Sequence, residues 1–271
     1  IIYHHNILGL GDYRMRWRLL RLPPMMPIDQ HRRVSGFAVF RIYSMRRRFA
    51  EMFSNKFRVE RVEALGPDLA CLEWLMECGC TQVTMSDDTR IGSISEMRKY
   101  IKRFGYDVFD LPEFDDNRIK ELKKEYFSSK LSSESDMAHD KRWSNAPRTY
   151  IVKVDASDSA VADPGFAYFR ECRQLDTLKL NFCDYFGDEA IRELALGRPA
   201  RTLTDLEIVL NPAVTDGAIY WLTKLKALRR LHFYFLPYVS NRQGMLRQLR
   251  LALPRCRVTF PREDKIGYGY E

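Results

Sequence analysis

Six cysteines and five histidines are the residues of this chain best suited to metal or nucleophilic chemistry, and their spacing argues against both. Cys71, Cys78, Cys80, Cys172, Cys183 and Cys256 are scattered through 271 residues. Cys78-Gly-Cys80 is a close pair, but two thiols without a neighbouring histidine are too few for zinc. Thiols this sparse in a long chain predict reduced cysteines in an intracellular compartment rather than a disulfide scaffold. His4, His5, His31 and His139 fall outside the patterned segments, which leaves His232. There is no H-E-x-x-H, no G-x-x-x-x-G-K-[ST] phosphate loop and no G-x-S-x-G elbow. Asp155 and Asp158 could pair as acid and base. They instead close a short extended segment, where aspartate commonly caps local backbone. The chain reads as a binding protein, not an enzyme.

The elements that would position a binding surface come from an internal repeat. Leu175-Asp-Thr-Leu178-Lys-Leu180-Asn-Phe-Cys183 aligns with Leu203-Thr-Asp-Leu206-Glu-Ile208-Val-Leu-Asn211 at an offset of 28, and Asp188, Ala190, Ile191 and Leu194 align with Asp216, Ala218, Ile219 and Leu222. An offset of 25 adds Leu228, Leu231, Phe233 and Leu236. Upstream, an offset of 26 places Val152, Val154 and Ser157 under Leu178, Leu180 and Cys183, and Cys256–Phe260 supplies a last strand. The pattern L-x-x-L-x-L-x-x-[N/C] makes each unit a short strand, an inward turn and a helix. Cys183 and Asn211 are the expected turn residues, bonding backbone left open between coils. The expected fold is α/β: a short leucine-rich-repeat solenoid, parallel strands on the concave face and helices on the convex face, with an N-terminal helical cap and a basic leader.

In this register the outward strand residues form columns: Lys153, Lys179, Glu207 and His232; Asp155, Asn181, Val209 and Tyr234; Ala156, Phe182, Leu210 and Phe235. The third is apolar and aromatic, which marks a contact surface unless another part of the chain covers it. Lys179, Phe182, Leu210, His232, Tyr234 and Phe235 are therefore the candidate partner-binding residues.

The rest of the chain divides by composition. Residues 1–50 carry ten arginines against Asp12 and Asp29, a net +8 that equals the net charge of the whole chain. Such an acid-poor, arginine-bearing leader fits a mitochondrial transit segment. The remainder sums to zero, so no basic stripe for nucleic acid is expected. A helical cap over 51–90 contains Pro67 and Gly79 as helix punctuation. Residues 91–148 read as a charged helical insertion with a polar, mobile loop, 149–260 as the repeats and 261–271 as a tail. No apolar run approaches the ~20 residues of a spanning helix.

Gly66-Pro-Asp-Leu-Ala-Cys-Leu-Glu-Trp-Leu-Met-Glu-Cys-Gly79, Val154-Asp-Ala-Ser-Asp-Ser159 and Val214-Thr-Asp-Gly217 resemble the family of mitochondrial ATP synthase subunit s (coupling factor B) and distal membrane-arm assembly component 2 of complex I. The resemblance covers about residues 50–90 and 141–260. It implies a non-enzymatic protein on the matrix side of the inner membrane, peripheral to it, whose partners are subunits of ATP synthase or complex I. The implied roles are support of coupled proton conduction or assembly of the complex I membrane arm. It also implies a divalent cation such as Mg²⁺ near Gly79 and Ser157, with no other cofactor. The family's C-x-C pair is reduced here to Asn181 and Cys183, so dithiol chemistry is not carried over. A ubiquitin-ligase substrate adaptor is the second reading that the repeats leave open.

Overall fold

The computed structural model describes residues 54–128 and 142–261. The leader, nearly all of the polar loop and all but the first residue of the tail lie outside them. The cap begins with α1 (Val59–Leu65) and α2 (Pro67–Glu77). Between them Gly66 takes a φ of +84°, which ends α1, and Pro67 opens α2 where no backbone donor is needed. Every residue from Pro67 to Met76 is buried, so α2 is a core helix rather than an amphipathic one. Its two buried acids have partners: Glu73 pairs with Arg61, and Asp68 accepts from the Ile151 amide at 2.9 Å.

A hairpin of β1 (Gln82–Met85) and β2 (Arg90–Ile91) follows, then α3 (Ile94–Lys102) and α4 (Asp116–Ser128). These helices, expected as an insertion, pack on the cap. α3 lies against α2 and α4 against α1, with the Tyr126 hydroxyl donating to the Ala167 carbonyl at 2.8 Å.

Strand and helix then alternate. β3 (Ile151–Asp155) leads to a 3-10 helix (Asp163–Glu171), β4 (Thr177–Lys179) to α5 (Asp188–Leu196) and α6 (Pro199–Thr202). β5 (Asp205–Val209) leads to α7 (Ala218–Leu222), β6 (Arg230–Tyr234) to α8 (Arg242–Ala252), and β7 (Arg257–Thr259) closes the series. The seven strands lie in the order β2-β1-β3-β4-β5-β6-β7, with β3 to β7 parallel and β1 antiparallel to both neighbours. The helices stack on one another in the same order, giving a mixed α/β fold with one continuous core.

The pairing fixes the repeat register. Leu178 lies beside Leu206, Leu206 beside Leu231, and Leu231 beside Val258, as the sequence offsets require. The first unit differs. Val154, not Val152, lies beside Leu178, so its offset is 24 rather than 26. A β-bulge between Thr84 and Met85 pairs Met85 with Ile151 and skips Val152, which is left half-buried. The inward residues of this unit are Ile151, Val154 and Ala156, and its turn residue is Ser159 instead of Ser157. At the far end Val258 and Phe260 are half-buried because β7 is an edge strand.

Candidate interaction face

Each turn places two consecutive residues in opposite environments. Asp158, Phe182, Leu210 and Phe235 stand one position before the turn residue of their units, and all four have positive φ, between 49° and 58°. The first three donate their amides to the next coil, to Asn181, Val209 and Tyr234 carbonyls at 2.7, 2.8 and 2.9 Å. This left-handed step turns the following side chain inward and the residue's own side chain outward.

The inward residues bond within and between coils. The Ser159 hydroxyl and the Cys183 thiol both donate to the Ala156 carbonyl, at 2.6 and 3.1 Å. Asn211 donates to the Cys183 and Phe186 carbonyls at 2.8 and 3.0 Å and accepts from the Ala213 and Val214 amides at 2.8 and 2.7 Å. Leu236 cannot do this, and Asp216 closes the last turn instead, accepting from the Ser240 and Asn241 amides at 3.0 Å each. Asp188 likewise receives the Thr215 amide at 2.9 Å, and Asp163 the Gly187 and Ala190 amides at 2.7 and 3.0 Å. These aspartates each hold the next coil.

The outward residues form the face. Phe182, Leu210 and Phe235 are 54%, 37% and 42% exposed, and the described part of the insertion packs on α1 and α2 rather than over them. The register shift changes the first member of all three columns, and takes Asp155 away from Asn181. Asp158 heads the apolar stripe in place of the buried Ala156, and Asp155 rather than Lys153 lies beside Lys179. Lys179, Glu207 and His232 remain neighbours, and Tyr234 lies beside Val209. Asn181 and Arg230 both reach Glu207, at 2.6 and 3.5 Å, while Arg230 also pairs with Asp205 at 2.6 Å. Burial holds the His232 imidazole below its ordinary range, which favours the neutral form. Two contributors escape the sequence pattern. Asp158 is hidden by the two-residue shift, and Tyr238, 64% exposed just past β6, aligns with the half-buried Tyr185 of the second unit but with Ala213 in the unit between.

The cysteines are placed for packing. All six are buried, and burial pushes the Cys183 thiol up to about 12, far from a reactive thiolate. Near Gly79, the Thr81 hydroxyl donates to the Ser157 carbonyl at 2.9 Å. The Ser157 hydroxyl donates to Asp155 at 2.5 Å, and among the described residues no group of three or more His, Cys, Asp or Glu side chains gathers to hold a metal.

No protein-family model matches the chain. It is similar to proteins named ATP synthase subunit s, mitochondrial. The Homo sapiens protein is 24% identical over 203 residues, which span 74% of this chain and 78% of that one. Those of Rattus norvegicus and Bos taurus are 25% and 23% identical over 201 and 203 residues, with the same coverage. A likeness of this extent, at this level of identity, supports membership in the family of mitochondrial ATP synthase subunit s.

Proposed function

We propose that residues 149–260 form a leucine-rich-repeat solenoid that acts as a non-enzymatic mitochondrial coupling factor. It docks on ATP synthase through Phe182, Leu210, Tyr234 and Phe235, flanked by Lys179 and His232, and sustains proton conduction on the matrix side of the inner membrane. The observation that carries this reading is the left-handed stripe. Glycine or asparagine would adopt that backbone at lower cost, yet phenylalanine and leucine occupy it with their side chains in solvent. Large apolar groups held outward at a cost in stability are the chemistry of a binding anchor. The similarity to proteins named ATP synthase subunit s supports ATP synthase as the partner. Mg²⁺ at Gly79 and Ser157 is part of the same proposal, as a stabilising ion between cap and repeats.

The test is binding of the full chain to purified ATP synthase, with purified complex I as the competitor. Phe182→Ser together with Phe235→Ser is expected to weaken association with ATP synthase about thirtyfold or more, at an unchanged melting temperature. A strong fall in melting temperature would make the stripe internal core. Preferential binding to complex I would move the partner to that enzyme.

A further inference from the structure

The chain's charge is distributed in a way that its sum conceals. Residues 217–261 hold two lysines and seven arginines with no carboxylate, while residues 51–216 hold 23 basic and 31 acidic residues. The fold gathers the basic segment into the last units, α7, β6, α8 and β7, at one end of the sheet. Arg247, Arg250, Arg255 and Arg257 are all exposed, and no carboxylate among the described residues pairs with them. Leu251 stands four residues after Arg247 and next to Arg250 in the last turn of α8, and is 78% exposed. Part of this has a structural reading, since arginine on the edge strand β7 discourages strand addition. That does not account for α8, where leucine and arginine project together from a helix.

We propose that this terminal face is a contact surface for an anionic phospholipid bilayer. A surface of one sign matches one whose charge is also of one sign and laterally fluid. Protein interfaces instead interleave both signs around a packed apolar centre. A single exposed leucine beside Arg247 and Arg250 on one helix is suited to enter the acyl boundary while the charges stay at phosphate depth. Each cation near such a surface adds about fivefold to partitioning. These residues are not those of the Phe182–Phe235 stripe, so the two readings fail independently.

The leader's arginines would also attract vesicles, so the test must report from α8 itself. The native cysteines are all buried, so a fluorophore on Gln248→Cys of the full chain labels this face. With phosphatidylcholine vesicles containing phosphatidylglycerol, the label is expected to become shielded from aqueous quencher, and less so as salt rises. The same label on Glu121→Cys of α4 is expected to stay exposed. Replacing Arg247 and Arg250 with Gln and Leu251 with Ser should weaken the shielding about thirtyfold or more, and a thermal melt confirms that this variant is folded. The proposal is overturned if the α8 label stays in water on vesicle-bound protein, if pure phosphatidylcholine shields it equally, or if the triple variant behaves as the parent. Shielding by purified ATP synthase but not by vesicles would assign the face to an acidic protein surface and overturn it too.

Discussion

At Phe182 the backbone and the side chain have opposing interests. A left-handed φ of 58° costs a non-glycine residue about 1–2 kcal/mol, and a half-exposed ring regains little of that. Phe182→Gly should therefore raise stability, by about 1 kcal/mol once glycine's greater unfolded-state freedom is subtracted, while lowering affinity for the partner. Urea denaturation and a binding assay on the same sample check this, and a loss of both would refute it. Asp68 makes a second residue-scale prediction. Burial, opposed by the Ile151 amide, Arg173 and Cys172, raises its carboxyl to about 7. The native state then holds a proton that the unfolded chain releases, so this contribution is greatest below about pH 4 and is lost as pH rises toward 7. Asp68→Asn should remove a slope of a few kcal/mol across that window in pH-dependent urea melts. A slope unchanged by the substitution would show that Asp68 is ionised throughout.

Besides the β1–β3 pairing, the cap joins the repeats through an aromatic contact. Phe166 and Phe169, three residues apart, share a face of the 3-10 helix and meet Trp74 of α2. Gly165 lets the tryptophan approach, since a Cβ there would lie 2.4 Å from its ring. Asn55 completes the joint, accepting from the Trp74 indole at 3.1 Å and the Ala162 amide at 2.8 Å. Within the repeats, Leu206→Ala is expected to cost about 2–5 kcal/mol by urea denaturation, as for other buried leucines. A cost below about 1 kcal/mol would mean that the coil collapses around the gap. Units two to four are legible in the sequence because each strand's pleat imposes its alternation directly on the leucines. The first unit is displaced by two residues from its sequence register because Val152 and Val154 imitate that alternation. The bulge that separates them is a property of the β1–β3 pairing, which sequence does not display. The same displacement puts Ala156 where Asp158 belongs, so the stripe is legible at Phe182, Leu210 and Phe235 but not at its start.

Across the whole molecule, summation hides what position reveals. Counting charges past residue 50 yields zero, and the basic last units vanish into the acidic segment before them. Removing residues 1–50 is expected to abolish mitochondrial import and leave the repeats folded, because the described core begins after them. Import of the truncated chain into isolated mitochondria would refute the leader's role, and failure to fold would make it structural. The aspartates between coils also give the assembly a mechanical polarity. Asp163, Asp188 and Asp216 each belong to one coil and clasp the turn of the next. A pull on the carboxyl-terminal end would peel coils singly, each clasp releasing only its own neighbour. A pull from the other end meets the joint of Asn55 and Trp74 together with the β1–β3 pairing. The molecule is thus built like a chain of hooks closed at the cap, yielding in steps to load from one direction and resisting as a block from the other.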